Sequence, residues 1–231
     1  MKLFFLIVLY ILSIDLGASY LVSTTSGLTD GQLKNRVIHW NDIPYAQPPV
    51  GNLRWKAPKE IIATNSIIKS KDNNFCVQKT SSLGGSSQFS GETISGTEDC
   101  LYLDVIAPKR ASNKPLPVMF WIHGGGNTSG LKDLYDFSKM VRKHNVLVVR
   151  INYRLGPFGW FTHPAIQDLQ EKDDKTSNFG TMDIIQALKW VQNNIILFGG
   201  DSNNVTIFGE SAGGHNVYSL IASKRAEGLF H

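Results

Sequence analysis

The chain has 231 residues, of which 42% are hydrophobic and 18% are charged, a composition typical of a globular protein. Its 23 lysines and arginines outnumber its 19 aspartates and glutamates only slightly, and no block of like charges occurs. Because a nucleic-acid interface needs a concentrated basic face, we expect no nucleic-acid partner. The length allows one large α/β domain or two small ones.

The first 18 residues have the features of a secretory signal peptide. Lys2 precedes an apolar run from Leu3 to Ile14, and Ala18 is a small residue at the expected cleavage point. The run is shorter than the about 20 apolar residues that cross a bilayer, so we expect a mature chain, 19–231, without a membrane span. An uncleaved anchor is the alternative, because Leu16 is not small. We expect a secreted or periplasmic protein.

Residues 19–75 are rich in glycine, proline and asparagine, which favours short strands and turns over helices. The two cysteines follow, Cys76 and Cys100. In an oxidising compartment one disulfide is the simplest outcome, and two buried free thiols are the alternative. Residues 77–99 contain few apolar anchors, so we expect a surface loop there.

From residue 101 onward, strand patterns alternate with helix patterns. Apolar runs predict strands at Leu101–Ile106, Val118–Ile122, Val146–Ile151 and Val205–Phe208. Helix-like patterns occur at Tyr135–His144 and Asn216–Ala222, and apolar residues three and four apart predict a longer helix at Thr181–Phe198. This alternation indicates an α/β fold with a mostly parallel central sheet and flanking helices, preceded by a small N-terminal β region.

The segment Gly209-Glu210-Ser211-Ala212-Gly213 joins the last predicted strand to the last predicted helix. A strand, Gly-x-Ser-x-Gly and a helix in this order are typical of a nucleophile elbow, which exposes a serine hydroxyl at the end of a sheet strand. A second element, Gly124-Gly125-Gly126, follows the strand that ends at Ile122. Successive glycines let backbone amides converge on one point, as stabilisation of a tetrahedral oxyanion requires.

These motifs resemble the type-B carboxylesterase and cholinesterase-like family of α/β-hydrolases. The resemblance runs from about residue 26 to residue 231 and rests on five segments: Ile43–Gly51, Glu98–Val105, Asn152–Gly156, Phe198–Asp201 and Gly209–Gly213. It implies an α/β-hydrolase fold. It also implies a serine carboxylic ester hydrolase that acts on small-molecule esters through an acyl-serine intermediate, with no cofactor and no metal.

The resemblance assigns roles to matching positions. Ser211 is the nucleophile, and the backbone amides of Gly125, Gly126 and Ala212 form the oxyanion hole. Supporting roles fall to His123, Gly124 and to Glu210, which we expect to be partly buried. His123 as a catalytic base and Glu210 as a general acid are the less favoured interpretations.

Structural roles follow from the same resemblance. Cys76 and Cys100 match the first disulfide of the family. The expected structural ion pairs are Arg54 with Glu98 and Arg154 with Asp183. Asn127 departs from the family, which usually has an aromatic residue there, and this implies a more polar wall on the acyl side.

The triad acid and histidine of this family lie well downstream of the serine, and we find neither after Ser211. His215 lies too close in sequence to Ser211 and is expected to be a packing residue. We therefore expect residues 19–231 to be the N-terminal part of a C-terminally truncated domain, nearly inactive by itself. Two alternatives remain open: a non-catalytic cholinesterase-like binding or adhesion protein, and an inactive truncated product.

Overall fold

A computed structural model describes residues 19–71, 74–84, 94–109 and 112–231. The predicted signal peptide lies outside the described residues, as do residues 85–93 of the predicted surface loop. Within the described ranges, no helix combines the length and the apolar character needed to cross a bilayer.

The described strands and helices alternate more regularly in the second half of the chain than in the first. The strands are β1 (Tyr20–Thr24), β2 (Gly27–Lys34), β3 (Val37–Pro44), β4 (Thr64–Ile68), β5 (Gln78–Lys79), β6 (Ile94–Ser95), β7 (Tyr102–Pro108), β8 (Leu116–Ile122), β9 (Leu147–Ile151) and β10 (Gly200–Gly209). The α-helices are α1 (Ser138–His144), α2 (Gly156–Gly159), α3 (Pro164–Gln167), α4 (Phe179–Asn194) and α5 (Ala212–Ala222).

The central sheet has the strand order β1-β2-β3-β7-β9-β8-β10, with β4 beside β2. Strands β9, β8 and β10 are parallel, because helices connect them across the sheet. Strands β1, β2 and β3 are antiparallel, because each connection is a tight turn. In the second of these turns both Asn35 and Arg36 have positive φ, as a two-residue type I′ hairpin requires. The α/β fold class is confirmed. The sheet is mixed, and β9, β8 and β10 form the parallel part at one side of it.

Helix α4 covers one face of this parallel part. Its Ile184, Leu188 and Val191 are fully buried against the sheet, where Val118 and Phe120 are also fully buried. The alternating residues of β8 point to the opposite face, where α1 packs. This arrangement explains why the strand is apolar along its whole length: it is covered on both faces.

Several predicted boundaries were wrong. Strand β10 begins at Gly200 rather than Val205, and α4 begins at Phe179 rather than Thr181. Helix α1 begins at Ser138 rather than Tyr135, because the Asp136 carboxylate accepts the Ser138 N–H (2.8 Å) and the two aromatic rings flanking Asp136 pack on Trp121. The predicted Thr181–Phe198 helix changes to a 3₁₀-helix at Ile195–Phe198. Helix α5 begins at Ala212, four residues before the prediction, so it starts directly after the predicted nucleophile. The predicted loop 77–99 contains the short β5–β6 pair.

The disulfide prediction is confirmed, and the alternative of two free thiols was wrong. Cys76 and Cys100 are joined in a disulfide, and both residues are buried. Their sequence separation is 24 residues, so the bond restricts a sizeable loop in the unfolded chain.

Loss of the disulfide should lower the free energy of unfolding by about 3–4 kcal/mol, since the unfolded chain regains the entropy of the open loop. Equilibrium urea unfolding of the Cys76→Ser/Cys100→Ser variant would measure the loss. The single variant Cys76→Ser should lose a similar amount, because either change breaks the same bond. An unchanged midpoint in both variants would show that the bond does not stabilise the fold.

Candidate active site

Ser211 lies in a sharp turn between β10 and α5. Its backbone has φ 54° and ψ −120°, a conformation that non-glycine residues rarely adopt. The glycines on either side are required by space: a Cβ at Gly209 would collide with the backbone of Gly213, and one at Gly213 would collide with the carbonyl of Ile122. Ser211 itself is exposed. The turn therefore presents the hydroxyl at the sheet edge, as the motif predicts.

The N-terminus of α5 adds a free backbone donor beside the serine. The Ser211 carbonyl accepts the His215 N–H (3.1 Å) within the first helical turn. The Ala212 N–H belongs to the same planar peptide and points the opposite way, out of the helix end. Within the described part of the chain this amide donates to no partner. The positive end of the helix dipole strengthens such a donor toward an anion.

The glycine loop, Gly124–Ser129, packs directly against this turn. A Cβ at Gly124 would lie 3.2 Å from the Cβ of Ser211 and 2.6 Å from the backbone oxygen of Glu210. The second distance leaves no room for a side chain, so glycine is required for the approach. The structure thus brings together the two motifs that lie more than 80 residues apart along the chain.

The loop closes around the carbonyl of Gly125. This oxygen accepts the backbone N–H groups of Thr128 (3.1 Å) and Ser129 (3.0 Å) and lies 3.2 Å from both of their hydroxyls. The N–H of Gly126 shares a peptide plane with this carbonyl and therefore points out of the loop. Gly125 and Gly126 have φ of 101° and 64°, values that glycine adopts without strain.

His123 fixes the peptide between Gly124 and Gly125 through a hydrogen bond to its carbonyl. Its Nδ1 lies 2.8 Å from the Gly124 carbonyl oxygen, so Nδ1 carries the proton and donates it. The N–H of Gly125, on the opposite side of that peptide, is directed away from the ring. Neither the Gly125 nor the Gly126 amide has an acceptor among the described residues. Two adjacent donors are thus held open next to the elbow.

The His123 ring is buried, and it stacks on Tyr153 at a centroid distance of 4.4 Å. Burial lowers the pKa of His123 to about 4, so the ring is neutral near neutral pH. Its Nε2 is buried without a hydrogen-bond partner in the described part of the chain. This geometry fits support of the glycine loop and does not fit proton transfer from Ser211.

Two expectations about the neighbours of Ser211 were wrong. Glu210 is exposed rather than partly buried, because it lies at the turn beyond the end of β10 where no described residue covers it. Its Oε2 lies beside Gly124, 2.5 Å from the position of an added Cβ. His215 is also exposed rather than packed, because α5 buries the face that carries Gly213, Asn216 and Leu220. Neither side chain has a hydrogen bond to the Ser211 hydroxyl.

The residues of the two expected ion pairs lie in contact. Arg154 Nε and Nη2 donate to the two carboxylate oxygens of Asp183 (2.8 and 2.7 Å), and both side chains are buried. Arg54 binds Glu98 in the same two-pronged manner (2.6 and 2.5 Å) at the surface. The first pair joins the segment after β9 to α4, and the second joins two loops near the disulfide.

A buried polar cluster around Lys132, just after the glycine loop, was not predicted from the sequence. Lys132 Nζ lies 2.9 Å from carboxylate oxygens of both Asp42 and Asp104, and Arg150 Nε donates to Asp104 (2.7 Å). All four side chains are nearly buried. Charged residues inside the apolar runs of β7 and β9 are the signal that could have indicated this cluster, because such charges are buried only when paired.

The role of Gln78 was not predicted from the sequence either. Its side-chain amide accepts the N–H of Gly130 (2.8 Å) and donates to the carbonyl of the same residue (3.0 Å), which ties β5 to the end of the glycine loop. No local pattern marks a glutamine for this role. Among the described residues, no group of three or more histidine, cysteine or acidic side chains could hold a metal ion.

Comparison with known proteins places this geometry in a family. The chain matches a family model described as the carboxylesterase family over residues 18–231. It is 42% identical over 213 residues to the para-nitrobenzyl esterase of Bacillus subtilis, an alignment that covers 91% of this chain and 42% of that protein. It is 37% identical to the cocaine esterase of Oryctolagus cuniculus, covering 87% of this chain and 39% of the relative.

Solved structures agree with the sequence relatives. The carboxylesterase EST55 of Geobacillus stearothermophilus superposes with a TM-score of 0.78 at 36% identity, over 91% of this chain and 42% of that one. This chain therefore spans less than half the length of the proteins it resembles.

The buried His123 makes stability depend on pH. Its pKa is lowered from 6.5 to about 4 in the folded chain, so on acidification the unfolded chain binds a proton that the folded chain does not. The free energy of unfolding should therefore be unaffected by this group above pH 6.5 and should fall between pH 6.5 and 4, by about 3 kcal/mol in total.

Urea unfolding at a series of pH values would measure this slope. The His123→Asn variant should lose this part of the slope, whereas a variant of an exposed histidine, His144→Asn, should keep it. Equal slopes in the wild-type chain and His123→Asn would contradict the buried, neutral state of the ring.

Proposed function

Because this chain belongs to the carboxylesterase family, we propose that Ser211 is the nucleophile of a carboxylic ester hydrolase that works through an acyl-serine intermediate. In this mechanism Oγ of Ser211 bonds to the ester carbonyl carbon, and the carbonyl electron pair moves onto oxygen. This addition gives a tetrahedral intermediate. When it collapses, the alcohol leaves and the acyl-serine remains, and water then hydrolyses the acyl-serine. The observation that carries the proposal is the exposed, strained Ser211 turn packed against the glycine loop.

The three open amides suit the charged intermediate. The N–H groups of Gly125, Gly126 and Ala212 lack acceptors among the described residues, and they belong to the two segments that meet at Ser211. We assign them to the oxyanion hole. Each such donor typically contributes about 10²–10³ to kcat.

The proton of Ser211 needs an acceptor that the described residues do not provide. No described histidine or carboxylate hydrogen-bonds its hydroxyl, and His123 is buried and turned toward Gly124. We propose that the general base and its acidic partner lie outside these residues, and that residues 19–231 are the N-terminal part of the catalytic domain. The fragment alone should then be nearly inactive.

The family and the surface next to the glycine loop support a proposal about the substrate class. A cleft of about 490 Å³ opens beside Thr128 and Ser129, and most of its lining is apolar, including Val77, Ile94 and Phe158. We propose small carboxylic esters with an apolar substituent as substrates. The buried disulfide supports the further proposal that the chain is exported and acts outside the cytoplasm.

Covalent labelling tests the nucleophile. A fluorophosphonate should modify Ser211 of the full-length protein, as located by peptide mass spectrometry, and Ser211→Ala should abolish the adduct. A second serine on the same helix provides the matched control: Ser219→Ala should be labelled normally, because this exposed residue lies outside the turn. Absence of any adduct at Ser211 would favour the non-catalytic binding protein.

Hydrolysis can be tested with a chimera in which residues 19–231 replace the matching part of the Bacillus subtilis esterase. We expect hydrolysis of 4-nitrophenyl acetate, and a loss of about 10⁶ in kcat on Ser211→Ala. A chimera that folds but hydrolyses the ester equally well without the Ser211 hydroxyl would contradict the assignment.

A further inference from the structure

We propose that Asn127 is a positioning residue that fixes the glycine loop to the nucleophile helix α5 and to the segment after β9. The proposal rests on the proposed function of Ser211 for its catalytic consequence. Asn127 directly follows the two glycines whose amides are assigned to the oxyanion hole. Any motion of Asn127 is therefore transmitted to those amides through one or two peptide bonds.

The side chain of Asn127 contacts two other segments. Its Oδ1 accepts a hydrogen bond from Nδ2 of Asn216 (2.9 Å), which is buried in α5. The same oxygen lies 3.2 Å from the hydroxyl of Tyr153, whose proton is donated to the carbonyl of His123 (2.6 Å). The side-chain amide of Asn127 thus contacts both Asn216 in α5 and Tyr153, which stacks on the His123 ring.

The backbone of Asn127 contributes a further link. Its carbonyl accepts the N–H of Gly156 (2.7 Å), which belongs to the segment after β9. Its φ is 57°, in the left-handed region, where asparagine is tolerated better than most residues. A residue with a short side-chain amide and tolerance for positive φ is therefore suited to this position, whereas a bulky or branched residue is not.

The consequence concerns the geometry of the oxyanion hole. The hole is assembled from two elements, the glycine loop and the first amide of α5. Its donors converge on one point only while these two elements keep their relative position. The bond between Asn127 and Asn216 is a direct side-chain link between them. The side-chain oxygen of Asn127 is turned toward α5 and Tyr153.

Three variants separate the amide from its backbone conformation. Asn127→Gly removes the side chain but keeps access to positive φ, Asn216→Ala removes the donor, and the third variant combines the two changes. Asn113→Ala, at an exposed loop asparagine, serves as the control. The first measurement is hydrogen–deuterium exchange at the Thr128 and Ser129 amides, which is independent of catalysis.

We expect each single variant to accelerate this exchange about fivefold, the effect of losing one net hydrogen bond. The combined variant should be no faster than Asn127→Gly, because both changes remove the same bond. Exchange at the wild-type rate in Asn127→Gly and Asn216→Ala, or fully additive effects, would overturn the proposal.

The second measurement is ester hydrolysis by the full-length protein. We expect kcat to fall about fivefold in each single variant while KM changes little, since the link orients donors that act on the transition state. Faster exchange with unchanged kcat would overturn the catalytic part of the proposal. Faster exchange in a protein that hydrolyses no ester would remove the proposed function of Ser211 and leave the role of Asn127 in the loop intact.

Discussion

The close approach of two backbone segments, at the edge where β8 and β10 end, determines the rest of this site. The two strands are parallel neighbours, and Gly209 is paired with Ile122 in the ladder. The elbow after β10 and the glycine loop after β8 must therefore leave the sheet side by side. They fit only because the positions at their contact, Gly124, Gly209 and Gly213, carry no side chain. The geometry of the proposed oxyanion hole therefore depends first on backbone sterics.

Burial of polar groups then keeps that contact rigid. His123, Tyr153 and Asn127 form a connected group. His123 hydrogen-bonds the Gly124 carbonyl and stacks on Tyr153, Tyr153 donates to the His123 carbonyl, and Asn127 accepts from Asn216. The neutral state of His123 is part of the same arrangement, because a charged ring could not be buried there. The cost of desolvating these groups is offset by the hydrogen bonds that direct the loop carbonyls inward and the loop amides outward.

Much of the fold and the two glycine motifs of the site could be predicted from the sequence, because local residue patterns encode them. The apolar runs of β8 and β10 and the glycine pattern around Ser211 depend on residues that are neighbours in the chain. The contacts between distant segments could not be predicted from spacing: Gln78 with Gly130, Lys132 with Asp42 and Asp104, and Asn127 with Asn216. The exposure of Glu210 was also missed, since burial depends on which segments cover a residue rather than on the residue itself.

We propose that the amides of Gly125, Gly126 and Ala212 converge on the oxygen that becomes negatively charged when Ser211 attacks a carbonyl. A crystal structure of the full-length protein phosphonylated at Ser211 tests it most directly, because the phosphonyl oxygen stands in for that oxyanion. We predict that this oxygen lies about 2.7–3.1 Å from all three amide nitrogens. A phosphonyl oxygen directed into solvent, with the glycine loop turned away from the adduct, would contradict the account.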